Sequence, residues 1–197
     1  MDDARLLRFY LERGGPEARW NLSPECAYLD YRLHGWAAEQ LLLDSCASVL
    51  NIGIGAGAWD DWLGYLLDGH GRLTSIDRDG DIADVLRYRQ QRESHPNPSR
   101  VLCVDALRDR IDGRFDVVTL IGSTTAESGE WQAALAAASR AVTPGGRLFY
   151  ADFHHLSPPE NFPPLAAELG LDVIHHDEDR TLPGLGFYLF VARSWQS

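Results

Sequence analysis

The chain has 197 residues, a formal net charge of −11 and 45% hydrophobic residues, which suits one domain with its own buried core. The acidic balance excludes a general nucleic-acid binder and a protein that docks on anionic membranes, since both need a basic surface. All 18 cationic side chains are Arg, and the absence of Lys rules out a pyridoxal Schiff base, a P-loop lysine and a Tyr/Lys dehydrogenase pair.

Cys26, Cys46 and Cys103 show no metal-ligand spacing, and their odd number suits a reducing compartment. No metal site is expected. Met1–Tyr10 lacks the apolar run of a secretory leader, and no stretch approaches the ~20 apolar residues of a membrane span. The expected location is the cytoplasm.

In chain order, Asp2–Arg13 reads as a short amphipathic helix with Leu6, Leu7, Tyr10 and Leu11 inward. Gly14, Gly15 and Pro16 break it. Ser23 and Pro24 are an N-cap and first helical residue for a helix from Glu25 to Leu43. Strands and helices then alternate: strands at Ser48–Ile52, Arg72–Ile76, Arg100–Val104, Phe115–Ile121 and Arg147–Ala151, and helices at Ala58–Leu67, Gly80–Gln91, Trp131–Ala141 and Pro163–Leu169. Pro144-Gly145-Gly146 reads as a turn, Leu171–His175 and Gly186–Ala192 as closing strands, and Asp177-Glu178-Asp179 as a solvated turn. This alternation implies a doubly wound α/β domain with a mostly parallel sheet, divided here into a helical cap (1–44) and a ligand-binding domain (45–197). Functional side chains are expected beyond the carboxyl ends of the strands.

The sharpest motif is Val49-Leu50-Asn51-Ile52-Gly53-Ile54-Gly55-Ala56-Gly57. An apolar strand runs through alternating glycines into a helix, so a ligand can lie against bare backbone and unpaired helical N–H groups. Asp77 closes the second strand, where a carboxylate can accept from ribose hydroxyls, and Asp105 follows the third, where one can accept from an adenine amino group. Gly53, Gly55 and Ala58 also satisfy a looser dinucleotide fingerprint, which leaves a nicotinamide enzyme as the competing reading. The helical segment ahead of the loop and the missing Lys count against it.

These residues, with Phe115-Asp116-Val117-Val118 and Pro144-Gly145-Gly146-Arg147-Leu148, make the chain resemble the class I S-adenosylmethionine-dependent methyltransferases over about Ser45–Arg193. The resemblance implies a Rossmann-like seven-stranded sheet ending in an antiparallel hairpin. It also implies S-adenosyl-L-methionine as cofactor, with Gly53, Gly55 and Gly57 near its methionine part, Asp77 on ribose, and Asp105 with Ala106 around adenine. Asn51 belongs to the cofactor-binding set, but the family usually carries Asp or Glu at that place.

The acceptor side is less marked. His154 and His155 follow the fifth strand, and a histidine there could serve as general base; His154 would also touch substrate. Tyr28, Tyr31 and His34 of the N-terminal helix would line a substrate pocket, Tyr31 doubling as a catalytic candidate, and Ser123 ends the fourth strand. Tyr28, Tyr31 and Arg32 share a helical side by spacing. His175 and His176 point to opposite faces of a strand and read as structural. Asp60 and Asp61 suit the first turn of a helix, where the dipole favours acids. The expected function is methylation of oxygen or nitrogen on a small molecule in bacterial specialised metabolism. Transfer of another cofactor group, or cofactor cyclisation, is the alternative within the fold. The oligomeric state stays open, a homodimer included.

Overall fold

In the computed structural model, residues 1–12, 23–42, 48–122 and 129–195 are described. Among the described residues, six α-helices and seven strands run α1 (Asp3–Glu12), α2 (Pro24–Gln40), β1 (Ser48–Ile52), α3 (Ala58–Leu66), β2 (Arg72–Asp77), α4 (Gly80–Arg92), β3 (Arg100–Cys103), β4 (Phe115–Ile121), α5 (Trp131–Ala141), β5 (Val142–Phe153), α6 (Phe162–Glu168), β6 (Leu171–Leu182) and β7 (Leu185–Ser194). The strands form one sheet in the order β3-β2-β1-β4-β5-β7-β6. β1 to β5 are parallel, and β7 runs antiparallel to both β5 and β6. The strand order reverses at β1, so the crevice for a ligand opens where β1 and β4 part.

Period-two burial builds a core on each face. Leu50, Ile52, Val118, Leu120, Leu148 and Tyr150 face α5 and α6 through Leu135, Ala138, Phe162 and Ala166. Val49, Val117, Phe149 and Ala151 face the other way, against Leu29, Leu33 and Trp36 of α2 and Leu63 of α3. Each large apolar side chain buried this fully contributes roughly 1.5–3 kcal/mol. Asp116 tightens the start of β1, its Oδ2 accepting from the Ser48 amide at 2.9 Å and the Ser48 hydroxyl at 3.1 Å.

Several expectations are corrected. β5 begins at Val142, so Pro144-Gly145-Gly146 lies within the strand; a register shift between Phe115 and Val117 absorbs the irregularity. β6 extends to Leu182, so Asp177-Glu178-Asp179 is strand, because each of these residues finds a partner on β7. In α1, Leu7 and Leu11 are exposed; Phe9 packs instead against Ile54, Ile82, Ala83, Leu86 and Val101. Tyr10 keeps its place in the helix, but its side chain lies outside the described residues, as do Arg13, the breaker at 14–16 and Cys46. α1 is further joined to α4 by Arg5–Asp81 at 2.6 Å, Tyr88–Asp3 at 2.7 Å and Arg92–Asp3 at 3.4 Å. Among the described residues no helix is long and apolar enough to cross a membrane.

Candidate active site

Parallel pairing brings the ends of β1 to β5 to one edge of the sheet, and the glycine loop leaves β1 there. Its path is fixed by backbone bonds: Gly53 N–H donates to the Ile76 carbonyl at 2.9 Å, and Gly57 N–H to the Ile54 carbonyl at 2.8 Å. Gly57 is the N-cap of α3 in a left-handed conformation, φ 79°, which a side chain would strain. A Cβ at Gly57 would also lie 2.8 Å from Arg89 Nη2. Arg89 reaches over from α4, donating to the Ala56 and Gly57 carbonyls at 3.0 and 3.1 Å and pairing with Asp61. At Gly55, by contrast, nothing lies within 4 Å of an added Cβ. The loop is thus packed at its helical end and open at its centre.

Asp77 sits at the end of β2, as expected. Its Oδ2 accepts from the Ile54 amide and its Oδ1 from the Asp79 amide, both at 2.9 Å. Each oxygen retains a lone pair, so the carboxylate is oriented by backbone yet able to accept from a diol. Asp105 follows β3 and forms a local turn: Oδ1 accepts from the Leu107 amide at 3.0 Å, and its own N–H donates to Asp109 Oδ2 at 3.0 Å. Ala106 beside it packs on the α5 face of the core.

Asn51 is 1% exposed and is held inside the sheet layer. Its Nδ2 donates to the Gly53 carbonyl at 3.1 Å and to Asp60 Oδ1 at 2.9 Å, while its Oδ1 accepts from the Thr119 hydroxyl at 2.8 Å. Trp59 Nε1 donates to that hydroxyl at 3.2 Å. Asp60 stands with Asp61 in the first turn of α3, as expected, but it is wholly buried, and burial pushes its carboxyl up to about 7. The signal was in the spacing, since Asp60, Leu63, Gly64 and Leu67 fall on one helical face.

The acceptor-side candidates separate. Tyr28 donates to Asp179 Oδ2 at 2.7 Å, and Arg32 one turn on pairs with the same oxygen at 3.0 Å. Burial opposes ionisation of Asp179, but bonds from Thr181 and Tyr28 and the charge of Arg32 outweigh it and hold the carboxyl below its usual range. Tyr31 leaves that side and is 73% exposed. His34 stacks on Trp62 at 4.4 Å and Trp59 at 5.4 Å between centroids, and burial lowers its pKa.

Beyond β5, His154 Nδ1 lies 3.1 Å from Arg180 Nη2. Arginine only donates, so Nδ1 accepts and the proton sits on Nε2, 3.4 Å from Glu178 Oε1. Burial and the Arg180 charge lower the pKa of His154. His155 is exposed, its ring 5.6 Å from that of Phe153. Ser123 lies outside the described residues. His175 contacts Asp177 within β6, and His176 stacks on Phe190 at 4.2 Å. Among the described residues no three His, Cys, Asp or Glu side chains are grouped to hold a metal.

A family model described as "Methyltransferase domain" matches residues 49–146, the span from the glycine loop into β5. No curated protein matches the chain in sequence. Solved structures share the fold. A putative sarcosine dimethylglycine methyltransferase from Galdieria sulphuraria superposes with a TM-score of 0.74 at 13% identity, covering 98% of this chain and 99% of that one. The N-methyltransferase NodS from Bradyrhizobium japonicum in complex with S-adenosyl-L-homocysteine gives 0.69 at 17% identity, covering 96% and 98%. The [4+2]-cyclase SpnF gives 0.70 at 16% identity, covering 84% and 81%.

Proposed function

Since the chain belongs to the class I S-adenosylmethionine-dependent methyltransferases, we propose that it moves the sulfonium methyl of S-adenosylmethionine to an oxygen or nitrogen of a small molecule. The observation that carries this reading is the glycine loop, open above Gly55 and flanked by an Asp77 carboxylate already aimed by two backbone amides. The residues present fit the cofactor. Gly53, Gly55 and Gly57 would border its methionine part, Asp77 its ribose, and Asp105 with Ala106 its adenine. The cofactor supplies an electrophilic methyl group on a positive sulfur.

The protein's task is to hold the acceptor in line behind that methyl, and orientation alone can supply much of the rate. The acceptor is assigned to the space beyond β4 and β5, with Tyr28 and His34 of α2 proposed as its border. Of the two histidines after β5, His155 is the one to take the acceptor proton, because the Nδ1 lone pair of His154 is already engaged by Arg180. The net charge of −11 favours neutral or cationic acceptors over polyanions. A bacterial biosynthetic role in the cytoplasm is part of this proposal.

A second reading rests on Asn51, which leaves the loop without the family's carboxylate at that place; attack at another carbon on sulfur would then transfer an aminocarboxypropyl group or cyclise the cofactor. The test is incubation with S-adenosylmethionine and a panel of phenols, alcohols, amines and carboxylic acids, followed by mass analysis. S-adenosylhomocysteine with an acceptor heavier by one CH2 is the expected result. Methylthioadenosine supports the second reading, and unchanged cofactor across the panel, despite tight binding, overturns both.

A further inference from the structure

One carboxyl group beside the glycine loop has no part in the reading above. Asp60, on the first turn of α3, is wholly buried beneath the glycine loop. Its Oδ1 accepts from Asn51 Nδ2, and the same nitrogen donates to the Gly53 carbonyl. Thr119 and Trp59 fix the opposite end of Asn51, so the amide cannot turn over without breaking the chain of donors. Asp60 Oδ2 and Ser75 Oγ are both buried and neither stands in hydrogen-bond geometry, although Ser75 is near enough to favour the ionised carboxylate.

We propose that Asp60 is a positioning residue for the cofactor: it supplies, from under the glycine loop, the negative charge that Asn51 lacks, and it transmits its state through Asn51 to Gly53. This inference rests on the cofactor assigned above. A buried carboxyl with no cation beside it favours its protonated form, and Asp60 is pushed up to about 7 chiefly by burial, with Asp61 adding to the rise. The charged and titratable groups around it do not offset this. From α4, Arg89 is engaged by Asp61 and two loop carbonyls. From β2, Asp77 is another acid; from α2, His34 lies against Trp59 and Trp62; and His95 approaches the Asp61 carbonyl. A cationic ligand over the loop therefore shifts the balance at Asp60 from carboxylic acid towards carboxylate, and the fraction of a proton still held on it leaves to solvent. The neutral thioether product does not drive this step. Reciprocally, ionised Asp60 favours the sulfonium over the thioether.

The test is calorimetric titration of the full chain at pH 7 with S-adenosylmethionine and, separately, S-adenosylhomocysteine, in buffers of different protonation enthalpy. Wild type, Asp60→Asn and Asn51→Asp/Asp60→Asn are compared, which cancels protons released by the ligands themselves. In wild type the sulfonium should expel more protons than in Asp60→Asn. The variant should bind the sulfonium about tenfold more weakly, as couplings of this kind typically do, and the thioether within about twofold. The double variant, carrying the charge at the family's position, should recover sulfonium affinity. Equal proton counts in wild type and Asp60→Asn, or equal sulfonium affinities, overturn the inference. Should the variants not fold, difference infrared spectra of wild type at pH 6 decide: the carbonyl band of a protonated carboxylic acid should diminish on adding the sulfonium and persist with the thioether, and an unchanged band overturns the inference. If neither compound binds wild type, the cofactor assignment itself falls and this inference with it; binding without the proton difference overturns the inference alone.

Discussion

The two halves of the sheet edge hold their acids in different ways. On the β1–β3 side, the Asp77 carboxylate is bound by amides of its own neighbourhood, from Ile54 and Asp79, and Asp105 by the amide of Leu107. On the β5–β7 side the partners are side chains from distant elements: Asp179 of β6 with Tyr28 and Arg32 of α2, and His154 with Arg180 and Glu178. Backbone donors are supplied by the fold whatever the sequence, so the first side is a scaffold that many chains could share. Side-chain donors must be chosen residue by residue, so the second side is where a chain's own acceptor preference would reside.

If that contrast holds, the largest loss should come from the scaffold. Asp77→Ala removes the acceptor of two amides and the expected ribose contact, and should weaken cofactor binding by about 100-fold, at ~1–3 kcal/mol for each bond to a charged group; calorimetry reads it. Gly57→Ala comes next. The strained φ and the approach to Arg89 should cost about 1–2 kcal/mol of stability, visible as a lower denaturation midpoint with the unfolding slope unchanged. Asp179→Asn should cost on the order of 1–3 kcal/mol at neutral pH. The Asp179 carboxyl is held below its ordinary value, so its contribution is present above the ordinary carboxylate range and disappears as the pH falls through the depressed one. The gap in melting temperature between wild type and Asp179→Asn should therefore close in acid; a gap that persists at low pH contradicts the ionic hold. The smallest effect belongs to Tyr31→Phe, at an exposed side chain: stability within about 0.5 kcal/mol, with any change confined to the KM of the acceptor.

The same contrast explains what could be read in advance. Strand and helix order, the glycine loop and Asp77 follow from local patterns, because alternation, glycine spacing and an acid at a strand end are visible within a few residues. The first-turn place of Asp60 follows from the dipole argument, but its burial is legible only by placing Leu63 and Leu67 on one helical face with it. Asp179 was not legible, since its partners lie 147 and 151 positions away and three consecutive acids read as a solvated turn. His154 looked like an available base because nothing local shows that Arg180, across the hairpin, would cover its lone pair.

α1 is fastened to α4 largely by exposed charges, Arg5 on Asp81 and Arg92 on Asp3, with Phe9 the one described ring from the helix in that apolar cluster. Such contacts are screened over a Debye length of ~3 Å in molar salt. Ionic strength should then act as a dial on this helix alone: concentrated chloride would expose its peptide bonds to a protease while the sheet stays resistant, and Ile54, which shares the Phe9 cluster, would register the detachment inside the glycine loop.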